Sequence, residues 1–239
     1  MPLLDFDSLV VCNGRRDIAT LKKTLEFFRN IGIRKFIVTL DVDPFSFSQY
    51  ELMNDYRRFK EAVFEYAKPR GAIIRVAPCI ELKKGIAYEP FIKRLRLSRT
   101  NKIFIRSPLC HDSSWTAHEL NYLLYKQKLK PIFVNFEYNL LSSDREYSEQ
   151  LYRIEQAAYC LDINHMTKKY CESAIRKAIK NNIIIIPAIS HQLYAYNRPP
   201  QCDAIENFKM LKSRLGSATY LKLCRHINES SKQIFTFLS

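Results

Sequence analysis

Residues 183 to 189, which read IIIIPAI, decide the fold class of this chain. The four consecutive isoleucines from Ile183 to Ile186 predict a strand without the polar alternation of a half-exposed strand. Both faces of such a strand must be covered, as they are in parallel barrels and doubly wound sheets. The stretch therefore predicts an α/β fold with a parallel sheet.

Six further runs of strand length precede this one and make seven in all, at residues 9–12, 33–40, 72–77, 102–107, 131–136 and 159–164. Segments of helical period separate them or follow them, at residues 17–30, 50–67, 90–99, 115–128, 144–157, 167–181, 204–215 and 218–228. This alternation is typical of βαβ units, and a barrel fits seven repeats better than an open sheet does. Since the chain has five glycines and no Gly/Ser linker, residues 1–239 are predicted to form one domain.

The chain carries 38 Lys and Arg against 24 Asp and Glu, a net charge of +14. That excess favours an acidic partner, although lysine-rich helix faces in solvent give the same composition. The densest basic stretch, KRLRLSR at residues 93–99, is not accompanied by a known DNA- or RNA-binding motif. Nucleic-acid binding therefore rests on charge alone at this point.

Cysteine usage and the amino-terminal sequence predict a cytoplasmic protein. The seven cysteines contain no CxxC pair, and their odd number does not suit a disulfide scaffold. The first residues, MPLLDFDSLVVCNGRR, place an acid inside the apolar stretch and the basic pair after it, the wrong order for a secretory signal. No run approaches the roughly 18 apolar residues that span a bilayer, so membrane insertion is not expected.

Polar residues stand where the predicted strands end, which is where the active sites of parallel barrels gather. Carboxylates with an amide and a histidine form an oxygen-rich set suited to Mg²⁺ or Mn²⁺. Such residues also cap the helices that follow strands, and spacing does not separate the two interpretations. The positions, from the first strand to the seventh, are Asp5 and Asp7, Asp41 and Asp43, Glu81, Arg106, Asn135 and Glu137, Asn164 and His165, and Ser190 and His191.

The order of these segments resembles the manganese-dependent tyrosine phosphatases of bacterial capsule loci, in the polymerase and histidinol phosphatase (PHP) superfamily. Family motifs D-x-H-x-H, G-I with a strand ending T-P-H, and G-x-E correspond to DFDSL, GIRKFIVTLD and CIEL. The later motifs E-x-P, G-x-x-P-I-x-x-H-P-E-R, Q-x-N and S-D-A-H correspond to IRSP, KLKPIFVNFEY, LDIN and AISH. NRPP at residues 197–200 and a closing helical pair complete the likeness. The resemblance implies a distorted (β/α)7 TIM-like barrel of PHP type.

The same resemblance implies a metal site from which most histidines have been lost. The two histidines of the first motif are replaced by Asp7 and Leu9, and the histidine of the second by Asp41. The histidine of H-P-E-R becomes Asn135 and its arginine Tyr138. The metal-ligand set carried over to this chain is Asp7, Asp41, Glu81, Asn135 and His191.

Three residues keep the family's identity and carry its catalytic roles by resemblance: Glu81, His191 and Arg198 of R-P-P. The aspartate of S-D-A-H is replaced by Ile189. Arg15 and Arg16 stand where the family has an acidic pair, and with Arg106 they are the candidate anion-binding residues. Leucine and isoleucine cannot bind metal, so the resemblance implies at most one Mn²⁺ or Mg²⁺, or none.

Three functions are therefore expected from the sequence. The first is a phosphatase-like protein, catalytically impaired or inactive, that binds an acidic or phosphorylated partner such as a tyrosine kinase of a polysaccharide locus. The second is an active metal-dependent phosphoesterase with a remodelled, carboxylate-rich site. The third is a nucleic-acid-binding protein.

Overall fold

The computed structural model describes residues 5–13, 18–41, 49–67, 71–81, 102–106, 125, 130–135, 157–162, 169–190 and 204–238. Seven parallel strands in these ranges form a closed barrel in sequential order, with β7 paired to β1. The strands are β1 Ser8–Asn13, β2 Lys35–Asp41, β3 Ile73–Glu81, β4 Lys102–Arg106, β5 Lys130–Asn135, β6 Ala157–Asp162 and β7 Ile184–Ser190. The predicted α/β class with a parallel, barrel-like sheet is confirmed.

Five helices are described: α1 Ile18–Asn30, α2 Gln49–Ala67, α3 Lys169–Lys180, α4 Ala204–Leu215 and α5 Ser217–Leu238. The first two connect β1 to β2 and β2 to β3, and α3 connects β6 to β7, so these three units follow the predicted alternation. The helices predicted at 90–99 and 115–128 lie outside the described residues, apart from the helical Tyr125. The helix predicted at 144–157 also lies outside them, except that Ala157 begins β6.

Apolar residues pack in two layers, one on each face of the barrel wall. Alternate residues of β2, such as Phe36, Val38 and Leu40, join the outer layer with Leu25 and Phe28 of α1. The intervening Ile37 joins the inner layer, which also contains Val10, Ala77, Cys79, Ile186 and Ala188. The period of two along each strand therefore separates barrel interior from barrel exterior.

The closing helix α5 is ten residues longer than its predicted end at residue 228. The predicted helix ends at Asn228, but the side-chain amide of Asn228 donates to the Asp5 carbonyl at 3.4 Å, and the helix continues to Leu238. Ile227, Ser231 and Ile234 are buried and extend the buried face of the helix beyond this point. Tertiary burial has overridden the local stop signal.

The final turns of α5 cover the amino end of the barrel. The Ser230 hydroxyl accepts a hydrogen bond from the Ile185 amide at 3.1 Å, near the start of β7. Ile234, which is 1% exposed, belongs to the inner layer of the barrel, and Phe235 and Phe237 pack against that layer. The amino end is therefore occupied by apolar side chains of α5.

In the described ranges no helix is long and apolar enough to cross a bilayer.

Candidate functional site

Each of the seven strands ends on a polar residue, and the parallel arrangement brings all seven ends to one rim of the barrel. This rim is the carboxyl mouth. The residues are Asn13, Asp41, Glu81, Arg106, Asn135, Asp162 and Ser190. Five of them, Asp41, Glu81, Arg106, Asn135 and Ser190, are positions that the sequence analysis predicts at strand ends.

The strand register sets the order of charges around the mouth. Glu81 pairs directly with Arg106 across β3 and β4, which places their backbones about 5 Å apart. Asp41 pairs with Cys79, so Glu81 lies two residues further toward the open side on the neighbouring strand. Asp162 pairs with Ala188 across β6 and β7. Three acidic positions and one basic position therefore share this rim.

A buried hydroxyl lies on the inner wall below the rim. Thr39 is fully buried, has Cys12 and Ala77 as register partners, and stands two residues before Asp41 on β2. It shares the strand face of Ile37, which belongs to the inner layer, so Thr39 faces the interior. Its Oγ1 has no hydrogen-bond partner. A buried hydroxyl left unpaired costs about 1–3 kcal/mol, and a bound polar group would remove that cost.

Asp7 does not lie at the carboxyl mouth. Its carbonyl accepts hydrogen bonds from the Arg34 and Lys35 amides at 2.8 and 2.9 Å, just before β1 and at the start of β2. Asp41 is at the other end of β2, six residues on from Lys35, which corresponds to about 20 Å along the strand. The first strand begins at Ser8, after Asp7 rather than before it, so the structure removes Asp7 from the metal-ligand set.

Eight predicted site residues lie outside the described residues: Arg15, Arg16, Asp43, Glu137, Asn164, His165, His191 and Arg198. His191 follows Ser190, the last residue of β7, directly in the chain. For Asp41, Glu81, Arg106 and Asn135, only the backbone positions are described. The structure thus places the backbones of these four at the mouth and leaves the eight residues outside the described ranges untested.

Two rim positions were missed by the sequence reasoning. Asp162 was assigned to the interior of a strand ending at residue 164, whereas β6 ends at Asp162 itself. Asn13 was assigned to the loop after a strand ending at residue 12, whereas it is the last residue of β1. Both are the first polar residue after an apolar run, so ending each strand at that residue, one position later for β1 and two positions earlier for β6, would have found them.

The donors at the mouth suit one hard cation. Aspartate and glutamate offer oxygen ligands, which Mg²⁺ and Mn²⁺ prefer, and the unpaired Thr39 hydroxyl adds an oxygen on the same inner face. Among the side chains that the structure describes, no three His, Cys, Asp or Glu are grouped so as to hold a metal. The register brings the acidic positions Asp41 and Glu81 to neighbouring strand ends, where a single ion would have two carboxylates as ligands.

Two buried ionisable side chains lie away from the mouth, on α5. Burial raises the pKa of the Cys224 thiol to about 11, and burial likewise raises the pKa of Tyr220 above its usual range. The Lys212 ammonium lies 5.3 Å from the centre of the Tyr220 ring and 4.0 Å from the Asp5 carboxylate. This group joins α4 and α5 to the chain before β1, so its role is structural.

No protein-family model matches the sequence, and no curated protein matches it. Among solved structures, an open form of tryptophan synthase from M. tuberculosis is 10% identical, with 93% of each chain covered and a TM-score of 0.42. The DAHP synthase of Thermotoga maritima is 13% identical, with 90% of this chain and 70% of that chain covered and a TM-score of 0.49. At such scores these likenesses carry no argument about function, and the barrel rests on its own strand register.

Proposed function

We propose that this protein is a catalytically impaired, phosphatase-like barrel of PHP type that binds a phosphorylated or acidic partner at its carboxyl mouth. The partner class is a phosphotyrosine segment, such as that of a tyrosine kinase of a polysaccharide locus. The proposal joins the resemblance to capsule-locus phosphatases with the charges that the register brings to the rim. It separates binding from turnover.

The position of Asp7 is the observation that carries the proposal. A multinuclear hydrolytic site needs several ligands within one cleft, because its metal ions jointly make hydroxide and clamp the phosphoryl oxygens. Asp7 stands at the amino end and pairs with Lys35 instead. Leu9, which replaces a second histidine, is fully buried in the outer layer. The first motif therefore contributes no ligand to the mouth, which favours weak or absent hydrolysis.

Binding of a phosphate group is supported by Arg106. It ends β4 in direct register with Glu81 and is the only cation among the seven strand ends. A guanidinium is suited to phosphate because it donates two parallel hydrogen bonds. If one Mn²⁺ or Mg²⁺ is held by Asp41 and Glu81, which share the inner face of the wall with Cys79, it would supply positive charge to the phosphoryl oxygens. Arg106 would orient the phosphate in either case. Asn135, predicted as a ligand, pairs with Tyr159, which pairs with Ile185 of the outer layer, so Asn135 lies on the other face.

The test is a titration of a phosphotyrosine peptide against its unphosphorylated form, with the whole chain and with variants at the two ends of the barrel. Arg106→Gln is expected to weaken binding of the phosphopeptide about tenfold or more, since a charged hydrogen bond contributes about 1.5–3 kcal/mol. Arg34→Gln is the matched control, because Arg34 is an exposed arginine at the amino end. Equal affinity for both peptides, or equal losses in both variants, would contradict the proposal.

An active metal-dependent phosphoesterase is the second candidate, and Asp162 is the observation that favours it. This carboxylate at the end of β6 restores one acidic position that the loss of Asp7 removes from the ligand set. Hydrolysis of an aryl phosphate with manganese, abolished by chelator and by Asp162→Asn but unaffected by Asp7→Asn, would establish it. If turnover is absent and phosphopeptide binding is retained, the phosphoesterase is excluded and the binding function is favoured.

A further inference from the structure

The helices α3 and α5 run side by side on the outside of the barrel, next to β7. Three hydrogen bonds join residues 176–185 to residues 219–230. Arg176 of α3 donates to the Thr219 hydroxyl of α5 at 3.2 Å. The His226 Nε2–H then donates to the Ile183 carbonyl, and Ser230 accepts from the Ile185 amide. The residue numbers of the two partners increase together from one contact to the next. Helix α5 therefore runs parallel to α3 and then passes the start of β7.

Cations dominate the exposed side of this helix pair. On α3, Arg176, Lys177 and Lys180 are exposed, and on α5, Lys222 and Arg225 are exposed. Lys180 is one helical turn beyond Arg176, and Lys222 is one turn beyond Thr219, so the pair in contact is followed by a lysine on each helix. These five residues form the α3–α5 basic face.

The basic face contrasts with the α1 and α2 side of the barrel. Helices α1 and α2 carry six cations and five acids, Lys22, Lys23, Arg29, Arg57, Arg58 and Lys60 against Glu26, Glu51, Asp55, Glu61 and Glu65. Ion pairs join Arg29 to Glu26, and Arg57 to Glu61 at 3.9 Å. On α3, α4 and α5 the cations are Lys169, Arg176, Lys177, Lys180, Lys209, Lys212, Arg214, Lys222, Arg225 and Lys232, against the acids Glu172, Glu206 and Glu229.

Among the described residues, the five cations of the basic face make no ion pair. Within the described ranges, the ion pair of these three helices is Lys212 with Asp5, at 4.0 Å, and Lys212 is not part of the basic face. Arg176 bonds to a neutral hydroxyl. Several unneutralised cations on two adjacent helices keep a positive potential that attracts polyanions.

We propose that the α3–α5 basic face binds the phosphate backbone of nucleic acid. Duplex backbones present one negative charge per about 1.7 Å of helix axis and no compensating positive charge, which suits a face whose five exposed cations outnumber the nearby acids Glu172 and Glu229. Protein–nucleic acid interfaces are much more positively charged than protein–protein interfaces. The face lies on the outer wall beside β7, so this binding is independent of the phosphate site proposed at the mouth.

The test measures binding of a short fluorescent RNA duplex by anisotropy between about 50 and 200 mM salt. Four or so phosphate contacts predict a salt slope of about −3.6 and a loss of affinity of about a hundredfold over that range. The variant Lys177→Glu, Lys180→Glu, Lys222→Glu is expected to raise the Kd at low salt more than tenfold and to reduce the slope by about 3. Arg176 is left intact because it bonds to Thr219.

The control variant makes the same change in net charge on α1 and α2: Lys23→Glu, Arg58→Glu, Lys60→Glu, all exposed. It is expected to change the Kd less than threefold, with both variants folded by circular dichroism. Equal losses in the two variants, or no binding at low salt, would overturn the proposal. So would equal displacement by polyglutamate at matched charge, which would assign the face to acidic proteins. Arg106→Gln leaves this binding unchanged, so failure here and failure at the mouth are distinguishable.

Discussion

The carboxylate of Asp7 lies 2.9 Å from the ammonium of Lys35, and this ion pair stands at the amino end of the barrel. Both side chains are partly exposed, at 41% and 27%. The pair fixes the carboxylate at the end opposite to Asp41 and Glu81, the strand-end acids of β2 and β3. Asp7, which the resemblance predicts to bind metal, therefore lies at the amino end of the sheet.

The variant Asp7→Asn should therefore leave metal affinity unchanged. Since exposed ion pairs contribute about 0–1 kcal/mol, the free energy of unfolding should fall by less than about 1 kcal/mol. Calorimetric titration with manganese and urea unfolding measure the two quantities. Glu81→Gln at the mouth is the comparison. A loss of manganese affinity in Asp7→Asn that equals the loss in Glu81→Gln would return Asp7 to the ligand set.

Ser230 and Ser231 are adjacent buried serines with different hydrogen bonding. The Ser230 hydroxyl accepts from the Ile185 amide, whereas Ser231 Oγ has no partner. Ser230→Ala leaves a buried amide unpaired and should lower the free energy of unfolding by about 1–3 kcal/mol. Ser231→Ala removes an unpaired group and should change it by less than about 0.5 kcal/mol, or raise it. Equal effects in urea unfolding would show that α5 does not bond to β7 in this way.

Ile234 tests the closure of the amino end by α5. This residue is 1% exposed within the inner layer, so Ile234→Ala should lower the free energy of unfolding by about 2–5 kcal/mol. The neighbouring Gln233 is exposed, and Gln233→Ala should change it by less than about 0.5 kcal/mol. Thermal and urea unfolding measure both. A small loss in Ile234→Ala would contradict the packing of α5 into the barrel.

Cys224 predicts a loss of stability at alkaline pH. Its pKa rises from 9.0 to about 11 in the folded protein because burial disfavours the thiolate. The folded state then holds the thiol proton more tightly than the unfolded state, so this contribution is complete below pH 9 and is lost as pH rises toward 11. The Cys224→Ala variant should show a shallower fall in the free energy of unfolding between pH 8 and 11. Parallel pH profiles for the two proteins would contradict the prediction.

The strand positions were predictable because they depend on local sequence pattern. Each apolar run that predicted a strand overlaps an observed one, including 183–189 with β7. Helix α4 has the predicted bounds, 204–215, since the left-handed Gly216 with φ of 75° ends it locally. The end of α5 was not predictable, because its last ten residues are stabilised by burial under the barrel.

The candidate site divides in the same way. The sequence by itself determined that polar residues follow the strands, and it therefore named Asp41, Glu81, Arg106 and Asn135 before their placement at the carboxyl mouth. Chain direction alone puts Asp7 before the first strand and Asn13 at its end. Only the tertiary structure decided which strand ends are neighbours and on which face of the wall each lies: the register pairs Glu81 with Arg106, and Asp41 with Cys79 of the inner layer. A pattern of residues records the period of a strand, whereas its register is set by pairing with neighbours distant in the chain.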